Sequence, residues 1–220
     1  MHRANRITAM VLGISLMSGT AYAMQNTPDP ELHHIQTEWA HIVYQMHGHD
    51  AQVDAIEALK KEATKYVADN PNDPEALLWE GIVTSEHASI ASVFHQLGLA
   101  KDARDIFDKV LKMDPGGVNG AAQMSLGVLY YRVPGFPIGF GDDDTARKDL
   151  QFALSKDPDG LDANYFYGDF LAEQGDEAQA RTVLKHALEA PVNKDRPVWD
   201  AGRRAEVREL ISKIDKDTKS

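Results

Sequence analysis

The 220-residue chain contains no cysteine, which excludes disulfide bonds, thiol catalysis and cysteine-based metal sites. It is also poor in basic residues, with 23 lysines and arginines against 34 acidic residues. The formal charge of −11 argues against nucleic acid or anionic lipid as the main partner, because both are polyanions. Such an acidic composition favours solubility.

The sequence patterns of common catalytic sites are missing as well. There is no G-x-S-x-G elbow, no phosphate-binding G-x-x-x-x-G-K-[ST] and no dinucleotide fingerprint. Ser85, Glu86 and His87 are suitable types for catalysis, but neighbours on a helix point in different directions. We therefore expect a protein that is not an enzyme and needs no cofactor.

Long apolar runs are scarce, and the most prominent one lies at the start of the chain. Residues 7–17 follow Arg3 and Arg6 and precede Ala21-Tyr22-Ala23, a small-residue pattern typical of signal peptide cleavage. The run is too short for a membrane span, which needs about 20 residues. We expect residues 1–23 to be removed on export, which leaves a periplasmic protein of formal charge −13 without membrane insertion.

Three gapless segments of the chain repeat one helical pattern. They are 103–111, 146–154 and 180–188. Each begins with Ala-Arg, has a large apolar residue four positions after the alanine, and has alanine or valine seven positions after it. This spacing places the three residues on one face of a helix. A proline follows each segment, at 115, 158 and 191, and stops the helix.

A second predicted helix precedes each of these segments and carries a glycine. The glycines are Gly81, Gly127 and Gly168. Glycine inside a helix costs about 1 kcal/mol relative to alanine, so its presence needs a reason. We expect each glycine to mark a point where two paired helices approach closely.

These features resemble the tetratricopeptide repeat family, whose unit is a 34-residue helical hairpin. The resemblance is best over 161–191, where Gly168, Ala180 and the closing Pro191 fall at or next to the family's signature spacing. Ala146 and Ala180 are 34 residues apart, which is one regular period. The resemblance implies an all-α superhelix of stacked hairpins, an α-solenoid, and it says little about the ligand.

The repeats predict the domain organisation of the exported chain. We expect a degenerate helical hairpin over 24–70, repeats over 71–192 with an inserted loop at 131–144, and a C-terminal capping helix and tail over 193–220. The first helix of the second hairpin is predicted to extend through Ser85–His95. The capping helix is predicted from Asp200, its N-cap, to Ile214, with Arg203, Arg204, Arg208 and Lys213 largely away from its apolar face.

The inserted loop is rich in proline, glycine and aromatic residues, which excludes regular structure but is too apolar for free solvation. Two interpretations remain: a packed loop that covers the edge of the array, or an aromatic lip over a binding site. Residues 129–157 are also similar to the T-component of tripartite ATP-independent periplasmic (TRAP) transporters. The candidate contact residues are Tyr130, Tyr131, Arg132, Phe136, Phe140, Asp142, Tyr165 and Tyr167.

These observations favour a protein-binding adaptor for an envelope assembly or transport system, with a protein partner in the cell envelope. The alternative is a small-solute or metal-binding accessory protein of a TRAP-type transporter. His34, Glu38 and His41 are weak candidates as metal ligands, because their spacing places them on one helical face. The competing interpretation treats these histidines as part of a solvated surface.

Overall fold

A computed structural model describes residues 29–217, which form nine α-helices and no β-strand within that range. The helices are α1 (Pro30–Tyr44), α2 (His49–Asp69), α3 (Pro74–Ile90), α4 (Val93–Met113), α5 (Gly117–Arg132), α6 (Asp143–Lys156), α7 (Leu161–Glu173), α8 (Glu177–Ala187) and α9 (Pro197–Asp217). The first eight pack as four consecutive hairpins, so the predicted all-α fold is confirmed. The predicted signal peptide lies outside the described residues. None of the nine helices combines the length and the hydropathy needed to cross a membrane.

Aspartate side chains mark the starts of four helices. Asp29, Asp73, Asp142 and Asp176 each accept a hydrogen bond from a backbone N–H group in the first turn of the helix that follows. Such a cap contributes about 1 kcal/mol to helix stability. In α1 and α3 a proline also occupies the first helical position, where no backbone N–H is needed. Local sequence therefore determines where these helices begin.

Three hairpins are held closely together by glycine opposite a large apolar side chain. The pairs are Gly81 with Phe107, Gly127 with Leu150, and Gly168 with Leu184. A Cβ atom at Gly168 would lie 2.6 Å from Cγ of Leu184, which is closer than packed atoms allow. Each large side chain follows the repeat alanine by four residues and is fully buried. The predicted close contact at the glycines is confirmed.

The first helix of the second hairpin ends earlier than the sequence predicts. Helix α3 ends at Ile90 instead of extending through His95. Ala91 and Ser92 adopt extended backbone conformations, and α4 begins at Val93. The Ser92 hydroxyl lies 3.0 Å from Nδ1 of His95 at the start of the new helix. A two-residue break, which an apolar period does not reveal, therefore separates the helices.

Helix α9 packs on α7 and α8 in the position of a further repeat helix, and it also contacts α1. Trp199 of α9 packs against the N-terminal hydrophobic cluster of α1, α2 and α3. The Tyr44 hydroxyl of α1 donates to Oε2 of Glu206 at 3.2 Å. A Cβ atom at Gly202 would lie 2.3 Å from the Tyr44 ring, so the two helices lie close together. The first and last parts of the described array therefore meet.

The prediction that the arginines of the last helix lie away from its buried face was wrong for two of them. Arg203 and Arg204 are 6% and 8% exposed. Arg204 donates to Asp200 Oδ2 at 2.9 Å and to the Ala190 carbonyl at 2.7 Å. Asp200 is not the N-cap either, because α9 begins at Pro197 and Asp200 lies in its first turn. The charges of Arg204 and Asp200 are buried because they pair with each other, and Arg204 also bonds the free carbonyls that follow α8.

Candidate functional site

The segment between α5 and α6 is a compact, hydrogen-bonded loop. The Gly141 N–H donates to the Pro134 carbonyl at 3.0 Å, and the Asp142 N–H donates to the Tyr130 carbonyl at 2.9 Å. A Cβ atom at Gly139 would lie 2.4 Å from the Pro134 oxygen, so only glycine fits there. This loop is the insertion that lengthens the distance between Ala103 and Ala146 to 43 residues.

One side of the loop is anchored on α4 and α5. The Phe140 ring meets the Tyr130 ring edge to face, with 5.7 Å between the ring centroids. The guanidinium group of Arg104 lies 4.6 Å from the centroid of the Phe140 ring. Leu97 lies against Gly139, with its Cδ1 atom 3.4 Å from the position of a Cβ atom there. Phe140 therefore holds the loop on α4.

The other side of the loop exposes large apolar side chains to water. Phe136 is 93% exposed and Ile138 is 69% exposed. At the start of α4, Val93 and Phe94 are 73% and 91% exposed. Phe94 is one helical turn from Leu97, which contacts the loop next to Ile138. We call Val93, Phe94, Phe136 and Ile138 the loop–α4 patch.

The patch contains most of the exposed large apolar side chains of residues 29–217, since only Met113 and Val192 lie elsewhere. Isolated apolar residues on a surface are ordinary, but a group of them on a rigid support is typical of an interaction site. Of the four patch residues, only Phe136 was among the sequence-predicted contact residues; Val93, Phe94 and Ile138 were missed. The only sequence signal for Val93 and Phe94 was that two apolar residues stand side by side at the start of a helix.

The eight sequence-predicted contact residues do not share one surface. Arg132, Phe136 and Asp142 are exposed; Tyr130, Phe140 and Tyr165 are partly buried; Tyr131 and Tyr167 are buried. The structure joins Tyr130, Phe136, Phe140 and Asp142 in or beside the loop, with the exposed Arg132 at the end of α5 where the loop departs. Tyr131, Tyr165 and Tyr167 lie deeper between helices. That these residues bind a partner stays a prediction.

Tyr131 and Arg132 belong to a polar network between α5 and α7. The Tyr131 hydroxyl donates to Oδ2 of Asp169 at 2.7 Å, and Arg132 forms ion pairs with Asp169 and Glu173. Burial, followed by the Asp169 charge, raises the pKa of the Tyr131 hydroxyl well above its usual range, so the phenol stays protonated. This network satisfies the buried Asp169 and fixes the end of α5, from which the loop departs.

Tyr165 and Tyr167 are engaged with neighbouring side chains. The guanidinium group of Arg203 lies 4.4 Å from the Tyr165 ring centroid, and burial raises the pKa of Tyr165 to about 12. Tyr167 stacks on Phe170, and its hydroxyl accepts a hydrogen bond from Gln151 at 3.2 Å. These contacts contribute to the core and to the docking of α9.

The weak metal candidates do not converge. Nε2 of His34 lies 3.3 Å from Oε2 of Glu62, and Nδ1 of His41 lies 3.0 Å from Oε1 of Gln45. Over residues 29–217, the structure assembles no group of three or more histidine, aspartate and glutamate side chains suited to a metal ion. His34, Glu38 and His41 are thus parts of the α1 surface with local partners or solvent around them.

Asp149 on α6 is partly buried and lies in the field of Asp108 on α4, which provides a pH-dependent test. Burial, followed by the charge of Asp108, raises the pKa of Asp149 to about 6. Because the unfolded value is about 3.9, folding favours the protonated carboxyl. The stability this protonated form provides is present below about pH 4 and is lost as the pH rises through 6.

We therefore expect Asp149→Asn to increase stability at pH 8 and to have little effect at pH 4. Urea unfolding of both proteins between these pH values measures the difference. Asp54→Asn, at an exposed position on α2, controls for the loss of one negative charge from an acidic protein. An Asp149→Asn gain that matches the control, or that is equal at both pH values, contradicts the expectation.

Comparison with known proteins agrees with this architecture. The tetratricopeptide repeat family matches residues 138–214, which span α6 to α9. A thermophilic TPR protein of Thermus thermophilus is similar in structure, with a TM-score of 0.50 and 21% sequence identity over 84% of this chain and 82% of that chain. MamA (41-end) from Desulfovibrio magneticus RS-1 gives a TM-score of 0.43 and 18% identity over 81% of this chain and 96% of that chain.

No curated protein shows a significant match to the chain. At these identities the structural likeness concerns the fold alone. The helices of the described residues and the similar fold together define an all-α fold of the tetratricopeptide repeat type, and the family match covers its C-terminal part. The family match includes α9, in agreement with its packing as a further repeat helix.

Proposed function

We propose that this protein is an exported, periplasmic adaptor that binds a protein partner through the loop–α4 patch. Repeat proteins of this kind present rigid surfaces to other proteins, and function usually lies on the concave face or in an insertion. The observation that carries the proposal is the exposure of Phe94 and Phe136, at 91% and 93%, on a loop held by hydrogen bonds and on the helix beside it.

The patch is favoured over the surface around Tyr165 because α9 covers that surface. Arg203 of α9 lies between Tyr165 and Phe166 of α7, and Glu206 bonds Tyr44 of α1. A partner entering there would have to displace these contacts. Burial of the patch requires no such displacement, and each large apolar side chain contributes about 1.5–3 kcal/mol when fully buried.

Export and the envelope setting are proposed from sequence. The basic start, the apolar run over 7–17 and Ala21-Tyr22-Ala23 support cleavage after Ala23. The similarity of 129–157 to a transporter component supports an envelope assembly or a transport system as the place of action. The formal charge of −13 after cleavage is consistent with a partner that is neither nucleic acid nor anionic lipid.

Site-specific photo-crosslinking in intact cells tests the proposal. A photoreactive residue replaces Phe136 in the full chain, and a matched variant carries it at the exposed Lys185 on α8. We expect one protein adduct, recovered in the periplasmic fraction, from position 136 and not from position 185. Identical adducts from both positions, no adduct, or an adduct confined to the cytoplasm would contradict the proposal.

A double substitution separates binding from folding. Phe136→Ser with Ile138→Ser removes two exposed side chains, so we expect the free energy of unfolding to change by less than about 0.5 kcal/mol. Capture of the partner by a photoreactive residue at position 94 should fall at least about tenfold, since interface energy concentrates in large central side chains. Val192→Ser, at an exposed apolar residue elsewhere, should leave capture unchanged.

A further inference from the structure

A cleft of about 530 Å³ lies beside the loop–α4 patch, between α2, the end of α3 and α4. Val53 and Glu57 line it from α2, His87 from α3, and Phe94, Leu99 and Asp102 from α4. Phe94 belongs both to this cleft and to the patch. A molecule bound on the patch is therefore within reach of the cleft.

The cleft is lined by two carboxylates, Glu57 and Asp102, and two histidines, His87 and His95. Its lining side chains, all within residues 29–217, include Glu57 and Asp102 but no lysine or arginine. The hydrogen bond from Lys61 holds the pKa of Glu57 below its usual range, so that carboxylate is ionised. Burial, followed by the charge of Lys60, lowers the pKa of His87, which keeps this imidazole neutral.

The existing ion pair at Glu57 is easily exchanged. Nζ of Lys61 lies 3.0 Å from Oε1 of Glu57, but the Lys61 side chain is 75% exposed. Exposed pairs of this kind contribute little, because water and salt screen them. A guanidinium group that also stacks on Phe94 and reaches Asp102 gains contacts that Lys61 does not make.

Apolar walls in the same cleft match the stem of a long basic side chain. Val53 and Leu99 are half-buried, and Phe94 leaves its ring open to solvent. A planar guanidinium group stacks favourably on an aromatic ring while its N–H groups bond carboxylates. The chain uses this arrangement elsewhere, with Arg104 over Phe140.

We propose that the cleft between α2 and α4 binds an arginine side chain of the protein partner, with the guanidinium group on Phe94 and between Glu57 and Asp102. The proposal rests on the proposed function in that the arginine belongs to the bound protein. It specifies the partner as a segment that carries apolar side chains next to an arginine. The apolar side chains cover the patch, and the arginine enters the cleft.

Titration of the ¹⁵N-labelled protein, residues 24–220, with the peptide acetyl-Gly-Arg-Leu-Gly-amide tests the proposal. We expect chemical-shift changes concentrated at Val53, Glu57, His87 and Asp102, with a Kd of about 1 mM, typical of a single side-chain contact. The same peptide with citrulline in place of arginine keeps the shape and removes the charge. It should bind at least about fivefold more weakly, because charged hydrogen bonds are roughly twice as strong as neutral ones.

Matched variants locate the effect. Glu57→Gln with Asp102→Asn should weaken arginine-peptide binding at least about fivefold. Asp54→Asn with Asp105→Asn removes the same charge from the same two helices outside the cleft and should leave binding unchanged. Equal binding of the citrulline peptide, equal losses in both double variants, or no shift at about 10 mM peptide would overturn the proposal.

The two proposals fail separately. If a partner is captured at position 136 and Glu57→Gln with Asp102→Asn does not change its affinity, the arginine site is overturned and the adaptor function stands. If the arginine peptide binds at the cleft but no protein adduct forms at position 136, the arginine site stands and the adaptor function is overturned.

Discussion

Arg203→Ala is expected to lower the free energy of unfolding by about 3 kcal/mol, because it removes a buried cation from two carboxylates. Arg203 donates to Asp162 Oδ1 and Glu206 Oε2, both at 2.7 Å, and its side chain is 7% exposed. The expectation lies at the low end of the range for broken buried pairs, since Asp162 and Glu206 are 26% and 36% exposed. The contact of α9 with α1 weakens as well.

Chemical unfolding at pH 7 measures this effect, and thermal unfolding should show a decrease of about 6–12 °C for a domain of this size. Arg208→Ala, at an exposed position on the same helix, is the control and should change the free energy by less than about 0.5 kcal/mol. Arg203→Met with Asp162→Asn and Glu206→Gln should recover part of the loss, since no unpaired charge remains. Equal effects of Arg203→Ala and Arg208→Ala would show that the buried cluster does not support the fold.

Gly127→Val is expected to destabilise the protein by about 1–3 kcal/mol, because the helices of the third hairpin leave no room for a side chain. A Cβ atom there would lie 2.8 Å from Cγ of Leu150 and 3.2 Å from the Ala146 carbonyl oxygen. Leu150 is fully buried and cannot move aside, and the backbone oxygen is equally constrained. The helices must therefore separate, which disturbs the core that α5 and α6 share.

The control for this substitution is Gly98→Ala. Gly98 lies in α4, and no atom lies within 4 Å of a Cβ built there. Alanine should increase stability by up to about 1 kcal/mol through helix propensity alone. Combining Gly127→Val with Leu150→Ala should cost less than the sum of the single changes, as expected for residues in direct contact. Strict additivity of the two changes would contradict the close-packing explanation.

The repeat architecture was predictable because its signals are local. Gly168, Ala180 and Leu184 recur at spacings that any α-helix converts into one packed face. Prolines and capping aspartates set helix boundaries through backbone chemistry within a few residues. The break at Ser92 was not predicted, because the spacing of the apolar residues does not reveal a two-residue interruption between helices.

The candidate surface was only partly predictable. The loop was visible as an interruption of the repeat period, and Phe136 and Phe140 were both named from it. Which of the two rings faces outward was not readable, because an irregular loop has no period that assigns its side chains to a face. Arg104 and Tyr130, on two different helices, turn Phe140 inward and leave Phe136 in water.

By itself the sequence determined the helices, their pairing into hairpins and the glycine contacts, because each depends on residues close together along the chain. Only the tertiary structure decided that α9 meets α1, that Arg203 is buried, and that Leu97, one turn from Phe94, lies against the loop that carries Phe136. Tyr44 and Glu206 are 162 residues apart, so their contact depends on how the hairpins between them pack on one another. No local pattern encodes that packing.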